Sequence, residues 1–137
     1  MSRRQAREMA LQTLYQLDFN PTEPESALAA AVEEAGAVDE KTRVYATGLV
    51  RGALANRQAI DDVISRVSSE WRLERMASVD RNIARIAIFE MRFSDENLSA
   101  NVVINEAVEL AKTFGTDDSS RFVNGILGSL VKNKEPR

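Results

Sequence analysis

The residues best suited to binding chemistry stand at the N-terminus, where three arginines occur within five positions. Arg3 and Arg7 are four residues apart and share one face of a helix, with Arg4 beside them. Like charges this close repel one another, which favours a bound polyanion. Guanidinium groups suit phosphate because each offers two parallel N–H donors, and the positive end of a helix dipole adds to the field. The pattern predicts a phosphate-binding surface, and the alternative is a solvated, fraying terminus.

A second candidate surface is the junction at residues 113–125. The acidic pair Asp117 and Asp118 predicts the start of a helix there. A helix N-terminus that carries hydroxyls and Arg121 is a place for a phosphate, and Phe122 in the first turn would stack on an unpaired base if it faces solvent. The alternative is that Phe122 is a core aromatic, and the two aspartates argue against a simple phosphate pocket.

The sequence contains few candidates for catalysis. It has no histidine and no cysteine, which excludes histidine-dependent nucleophilic triads and metal sites built on imidazole or thiolate. Glu106 and Glu109 lie on one side of a predicted helix, but no Glu-x-x-His element completes a di-metal site. We interpret them as an exposed face or as helix-capping residues. The prediction is a protein that is not an enzyme and needs no cofactor or metal.

The rest of the chain must position these residues, and its hydrophobic spacing predicts helices throughout. We predict an all-α fold and one domain over residues 1–137, with a joint near residues 71–78. The central helix is predicted from Ser78 to Phe93, because its many β-branched apolar residues indicate burial on several sides. Three helices are predicted before it in the first part of the chain: one over about Ser2–Asp18 with Ser2 as N-cap, one from a Thr22/Glu25 capping box to Gly36, and one over Asp39–Asn56. A fourth runs from Ile60 towards Trp71. After the central helix, one helix is predicted between Ser99 and Gly115, and the last begins at Asp117 or Asp118 and runs into the C-terminal tail.

The charges are segregated along the chain, although the net charge is only −3. Residues 18–40 contain seven acidic residues and no basic one, whereas residues 41–85 contain nine basic and five acidic residues. The pattern indicates a small basic face on an acidic body. No apolar run near the N-terminus has the length of a signal peptide or a membrane span, so we expect a cytoplasmic location and no membrane contact.

Three stretches of the chain resemble the NusB family. The opening RRQAREMALQTLY at residues 3–15 is similar to the arginine-rich start of the family, and VDRNIARIAIFE at residues 79–90 resembles its central helix. VINEAVELAKTFG at residues 103–115, followed by FVNGIL at residues 122–127, resembles its C-terminal signature. The resemblance spans nearly the whole chain in the same order, and the acidic residues 18–40 are least like the family.

The resemblance implies a compact bundle of about seven helices in two sub-bundles and an RNA-binding adaptor. Such a protein binds the boxA element of ribosomal RNA leader transcripts, together with a small-subunit ribosomal protein that doubles as an elongation factor. The pair then helps RNA polymerase, within an antitermination complex, to ignore termination signals. The resemblance leaves the oligomeric state open.

Site residues follow from the same resemblance. The family's RNA surface corresponds to six residues of this chain: Arg3, Arg4, Arg7, Tyr15, Arg121 and Phe122. Asp80 and Arg85 stand where the family docks its protein partner or adjoins the RNA.

Two other functions fit a helical chain of this kind. NusB-like domains also precede ribosomal RNA cytosine methyltransferases, but this chain has no glycine-rich cofactor loop and no cysteine nucleophile. The other alternative is a plain helical interaction module whose arginines only keep it soluble.

Overall fold

Apolar residues at helical spacing organise the chain into helices that bury one stripe each. The computed structural model describes residues 1–68, 73–96 and 98–133. The described residues form seven α-helices: α1 (Arg3–Phe19), α2 (Pro24–Ala35), α3 (Glu40–Ala55), α4 (Arg57–Val67), α5 (Ser78–Ile88), α6 (Ala100–Phe114) and α7 (Ser119–Asn133). A 3-10 turn at Leu73–Arg75 precedes α5. The all-helical prediction is confirmed, while Trp71 and part of the predicted joint lie outside the described residues.

The helices pack as two groups joined through α1 and α5. Helices α1, α2 and α3 contact one another, and α5 contacts α4, α6 and α7, while α1 also packs against α5. Every residue from Asn82 to Ile88 is buried, which confirms the predicted central helix. One cluster of buried apolar side chains draws on all seven helices. No described helix has both the length and the hydropathy needed to cross a membrane.

Local chemistry sets most helix ends where the sequence predicts them. The Ser2 hydroxyl accepts a hydrogen bond from the Gln5 amide at 3.1 Å, and Asp39 caps α3 in the same way. Gly36, at a φ of 87°, ends α2 in a conformation that favours glycine. The predicted capping box at Thr22 is wrong. Helix α2 begins at Pro24, whose fixed φ suits a first helical position.

Asp18 ties the end of α1 to the start of α5. Its Oδ2 accepts hydrogen bonds from the Ser78 hydroxyl at 2.6 Å, the Asn82 amide at 2.9 Å and the Arg81 guanidinium at 3.3 Å. Burial raises the pKa of Asp18, but the hydrogen bonds from these three donors lower it by a larger amount. The pKa of Asp18 therefore lies below its ordinary value. The contact therefore holds α1 against α5 with a charged carboxylate.

Helix α5 continues into a π-helical turn at Phe89–Phe93, against which α3 crosses at a glycine. A Cβ atom on Gly52 would overlap Cζ of the Phe89 ring. Only glycine fits that crossing without a shift of the ring. The close approach brings Tyr45, two turns earlier on α3, beside Glu90 at the start of the π turn.

Candidate nucleic-acid interface

Arg7 lies inside the protein. Its guanidinium donates to both carboxylate oxygens of Glu90, at 2.7 and 3.0 Å, and the Tyr45 hydroxyl donates to the same carboxylate at 2.5 Å. Arg7 is 4% exposed and Glu90 is 2% exposed. The expectation that Arg7 lies on an exposed face with Arg3 and Arg4 is therefore wrong, because α1 turns this side chain into the contact with α3 and the π turn.

The environment keeps this buried group in a single charge state. Burial acts against the charged form of Arg7, but the hydrogen bonds and charge of Glu90 outweigh it and raise the pKa of the guanidinium. Burial, and after it Glu90, raises the pKa of Tyr45 to about 12. The tyrosine therefore remains a hydrogen-bond donor at any physiological pH. The triad of Arg7, Glu90 and Tyr45 forms a rigid base beneath the start of α1.

Arg3 and Arg4 remain at the surface above this base. The Arg3 guanidinium binds Glu96 at 2.7 Å and lies 5.3 Å from the centre of the Tyr45 ring. Arg4 makes two hydrogen bonds to Glu106, at 3.1 and 2.8 Å. The two arginine side chains are 40% and 59% exposed. Both guanidinium groups are thus accessible to a ligand and already held in place.

The arginine cluster is balanced by the protein's own carboxylates. Glu106 also lies 3.6 Å from Arg7, and its hydrogen bonds with Arg4 lower its pKa, although burial opposes the shift. A phosphate that binds Arg3 or Arg4 competes with a carboxylate oxygen of Glu96 or Glu106 and can take its place. Because these pairs are exposed, that exchange costs little. The site is therefore a set of pre-oriented guanidinium groups and not a bare cationic patch.

Sequence reasoning did not identify Glu90, Glu96 and Glu106 as the partners of the arginines. A signal for Glu90 was present: Arg85 and Glu90 are the only charged residues between positions 82 and 91. A charge inside a helix that is buried on several sides needs a partner of opposite charge. No such signal marks Glu96, which stands in a polar connection.

Arg85 finds its partner inside the protein as well. It donates to both oxygens of Asp61 on α4, at 2.8 and 3.0 Å, and to Asn82 at 3.2 Å. Because Arg85 is buried, its expected position on a docking surface is wrong. Asp80 is half-buried, and its Oδ1 is buried without a hydrogen-bond partner among the described residues.

The other three predicted RNA residues lie in separate surroundings. Tyr15 is exposed on α1 and its ring contacts Phe19, with the ring centres 4.9 Å apart. Arg121 is exposed in the first turn of α7, 3.7 Å from Asp118. Phe122 is half-buried and packs against the core, the position expected of a core aromatic.

Tyr15 also borders a groove between α1 and α2, with a volume of about 610 Å³. Leu11, Val79 and Phe114 contribute apolar surface to the groove, and Glu34 of α2 stands at its edge. Val79, which lines the groove, precedes Asp80 in α5. The acidic segment 18–40 supplies the α2 side of the groove.

The structure contains the three stretches that resemble the NusB family in the expected order: the arginine-rich start of α1, the central helix α5 and the C-terminal signature in α6 and α7. The model of the NusB family matches residues 4–132. The chain belongs to the NusB family. Among its relatives, the transcription antitermination protein NusB of Desulforamulus reducens is 53% identical over 135 residues, which cover 98% of this chain and 93% of the relative.

Solved structures of NusB proteins share the fold. T. maritima NusB is 36% identical, with a TM-score of 0.88 over 99% of this chain and 94% of that one. A crystal structure of the antitermination factors NusB and NusE in complex with double-stranded RNA gives a TM-score of 0.84 at 28% identity, over 96% of both chains. The predicted NusB-like fold of two sub-bundles is confirmed.

Proposed function

We propose that this chain is a transcription antitermination factor that binds RNA jointly with a small-subunit ribosomal protein. Its target is boxA-type single-stranded RNA of ribosomal leader transcripts, and it acts in the cytoplasm by binding and not by catalysis. The observation that carries the proposal is the pair of exposed, pre-oriented guanidinium groups of Arg3 and Arg4. The NusB relative solved with NusE and RNA supports it.

RNA binding proceeds by an exchange of anions at the start of α1. A backbone phosphate takes the place of Glu96 on Arg3 or of Glu106 on Arg4. Arg7 stays on Glu90 and keeps α1 in position, so its contribution to RNA binding is indirect. Each phosphate neutralised on a single strand adds about −0.7 to the slope of log affinity against log salt, so these two arginines account for roughly −1.4.

The protein partner docks on the acidic side of the molecule. The groove between α1 and α2 offers apolar surface beside Tyr15, and Glu34 of α2 adds a carboxylate to its lining. Ribosomal proteins of the small subunit have the positive charge that complements this side.

The double variant Arg3→Gln/Arg4→Gln tests the RNA surface. Titration with boxA-type RNA should show at least a tenfold loss of affinity, a salt slope less steep by about 1.4, and nearly unchanged thermal stability. The matched control is Arg51→Gln/Lys132→Gln, which removes the same charge from exposed sites on α3 and α7. The control should lose less than twofold.

Equal losses in both variants would mean that only the net charge attracts RNA. Unchanged binding of the Arg3/Arg4 variant would refute the proposed surface. A scrambled RNA of the same length, with and without the ribosomal partner, completes the experiment. Equal affinity for both RNAs under both conditions would contradict a boxA-directed function.

A further inference from the structure

A second groove opens beside Arg3, between α3 and the segment at residues 89–96. Its volume is about 290 Å³, at the lower end of the range for small-ligand sites. Val44, Tyr45 and Gly48 of α3 line one side, and Phe89, Phe93 and Glu96 line the other. The groove is thus mainly apolar and aromatic, with the Arg3–Glu96 ion pair at its rim.

Gly48 has no packing reason to be a glycine. Inside a helix, glycine is less favourable than any residue except proline. Gly52, one turn further along α3, meets a steric demand at the Phe89 ring. A Cβ atom on Gly48 would have no atom within 4 Å. The position therefore has room for a side chain, and a large one there would enter the groove that Gly48 lines.

The walls of the groove suit a flat, unstacked ring. Tyr45 is fixed by the hydrogen bond from its hydroxyl to Glu90, and Val44 is 55% exposed. At the polar end, Asp95 and Glu96 offer carboxylate oxygens that accept from the amino and imino groups of a base edge. An aromatic platform next to a guanidinium is the usual arrangement for binding a base of single-stranded RNA.

Positive charge flanks the groove where the RNA backbone would run. Arg3 lies over the Tyr45 ring, with its guanidinium carbon 5.3 Å from the ring centre. Lys41 is exposed, lies three residues before Val44 on the same helical face, and forms no ion pair with the described residues. An apolar side chain of a protein partner would gain nothing from these two cations.

We propose that this groove binds one unstacked base of single-stranded RNA, with Arg3 neutralising the adjoining phosphate. The proposal rests on the proposed RNA-binding function and assigns a base-binding subsite to it. Gly48 marks the position at which a large side chain would close the subsite.

The test compares Gly48→Leu with Ala29→Leu, which adds a leucine at an exposed position of α2 that lines neither groove. The leucine side chain fills the groove, and affinity for boxA-type RNA should fall roughly 5- to 100-fold, the effect of losing one stacked base. The Ala29→Leu variant leaves the groove open, so its affinity should stay within about twofold of the parent. Circular dichroism establishes that both variants are folded.

A scan of RNAs that each lack one base tests the same subsite without altering the protein. With the parent protein, removal of one particular base should reproduce the loss caused by Gly48→Leu. With Gly48→Leu, removal of that base should have no further effect. If no single base matters to the parent protein, the proposal is overturned, even if the leucine variant does not fold.

The remaining outcomes separate this proposal from the proposed function. If Gly48→Leu binds RNA normally while Arg3→Gln/Arg4→Gln does not, the subsite is wrong and the RNA surface stands. If Gly48→Leu weakens only the ribosomal partner, the groove receives a protein side chain and the proposal is overturned. If neither variant affects RNA binding, both proposals fail.

Discussion

Arg7→Leu removes the positive half of the ion pair that joins α1 to the end of α5. We expect the variant to lose about 3–5 kcal/mol in free energy of unfolding, the usual effect of breaking a buried pair. It leaves the Glu90 carboxylate buried, with the Tyr45 hydroxyl as its remaining donor among the contacts described. Against a typical total stability of about 5–15 kcal/mol, this is a large share.

The double variant Arg7→Leu/Glu90→Leu separates the charge effect from the loss of packing. Because it buries no unpaired charge, it should be at least about 2 kcal/mol more stable than Arg7→Leu. Urea unfolding followed by far-ultraviolet circular dichroism measures both variants, and an unchanged m-value would show that the unfolded state is comparable. A loss below about 1 kcal/mol for Arg7→Leu, together with a tenfold loss of RNA affinity, would refute the interior role and make Arg7 a direct RNA ligand.

Three further predictions test the fold and the site. Gly52→Ala should lower the free energy of unfolding by about 1–3 kcal/mol, because the new Cβ meets the Phe89 ring; a melting temperature equal to that of the parent would contradict the crossing described. Asp18→Asn should cost about 1–3 kcal/mol at neutral pH. The pKa of Asp18 lies below its ordinary value of 3.8 in the folded protein, so the contribution of Asp18 to stability is complete above that value and is lost as the pH falls through the folded pKa. Parent and variant should therefore converge in urea unfolding at acid pH. A constant difference in stability at all pH values would contradict this. Glu106→Gln removes the carboxylate that competes with phosphate for Arg4. RNA affinity should therefore rise roughly twofold to fivefold, the range for an exposed ion pair. A fall in RNA affinity would mean that the carboxylate positions Arg4 for RNA binding.

Local sequence patterns determined the helices of this protein. Periodic apolar residues predicted the helices, and short-range signals such as Ser2, Asp39 and Gly36 predicted several of their ends. These features depend on contacts within about one turn, so the residues that decide them are close in the sequence. The wrong prediction of a capping box at Thr22 has a local cause too, because Pro24 is a competing start for the same helix.

The tertiary structure decided which arginines reach the surface. Arg3, Arg4 and Arg7 look alike in the sequence, yet Arg7 is buried on Glu90, 83 residues away, while Arg4 finds Glu106, 102 residues away. Which carboxylate a guanidinium meets depends on how α1 crosses the π turn and α6, and no local pattern encodes that crossing. The sequence determined that the start of α1 carries arginines, and packing between helices decided which of them a ligand can reach.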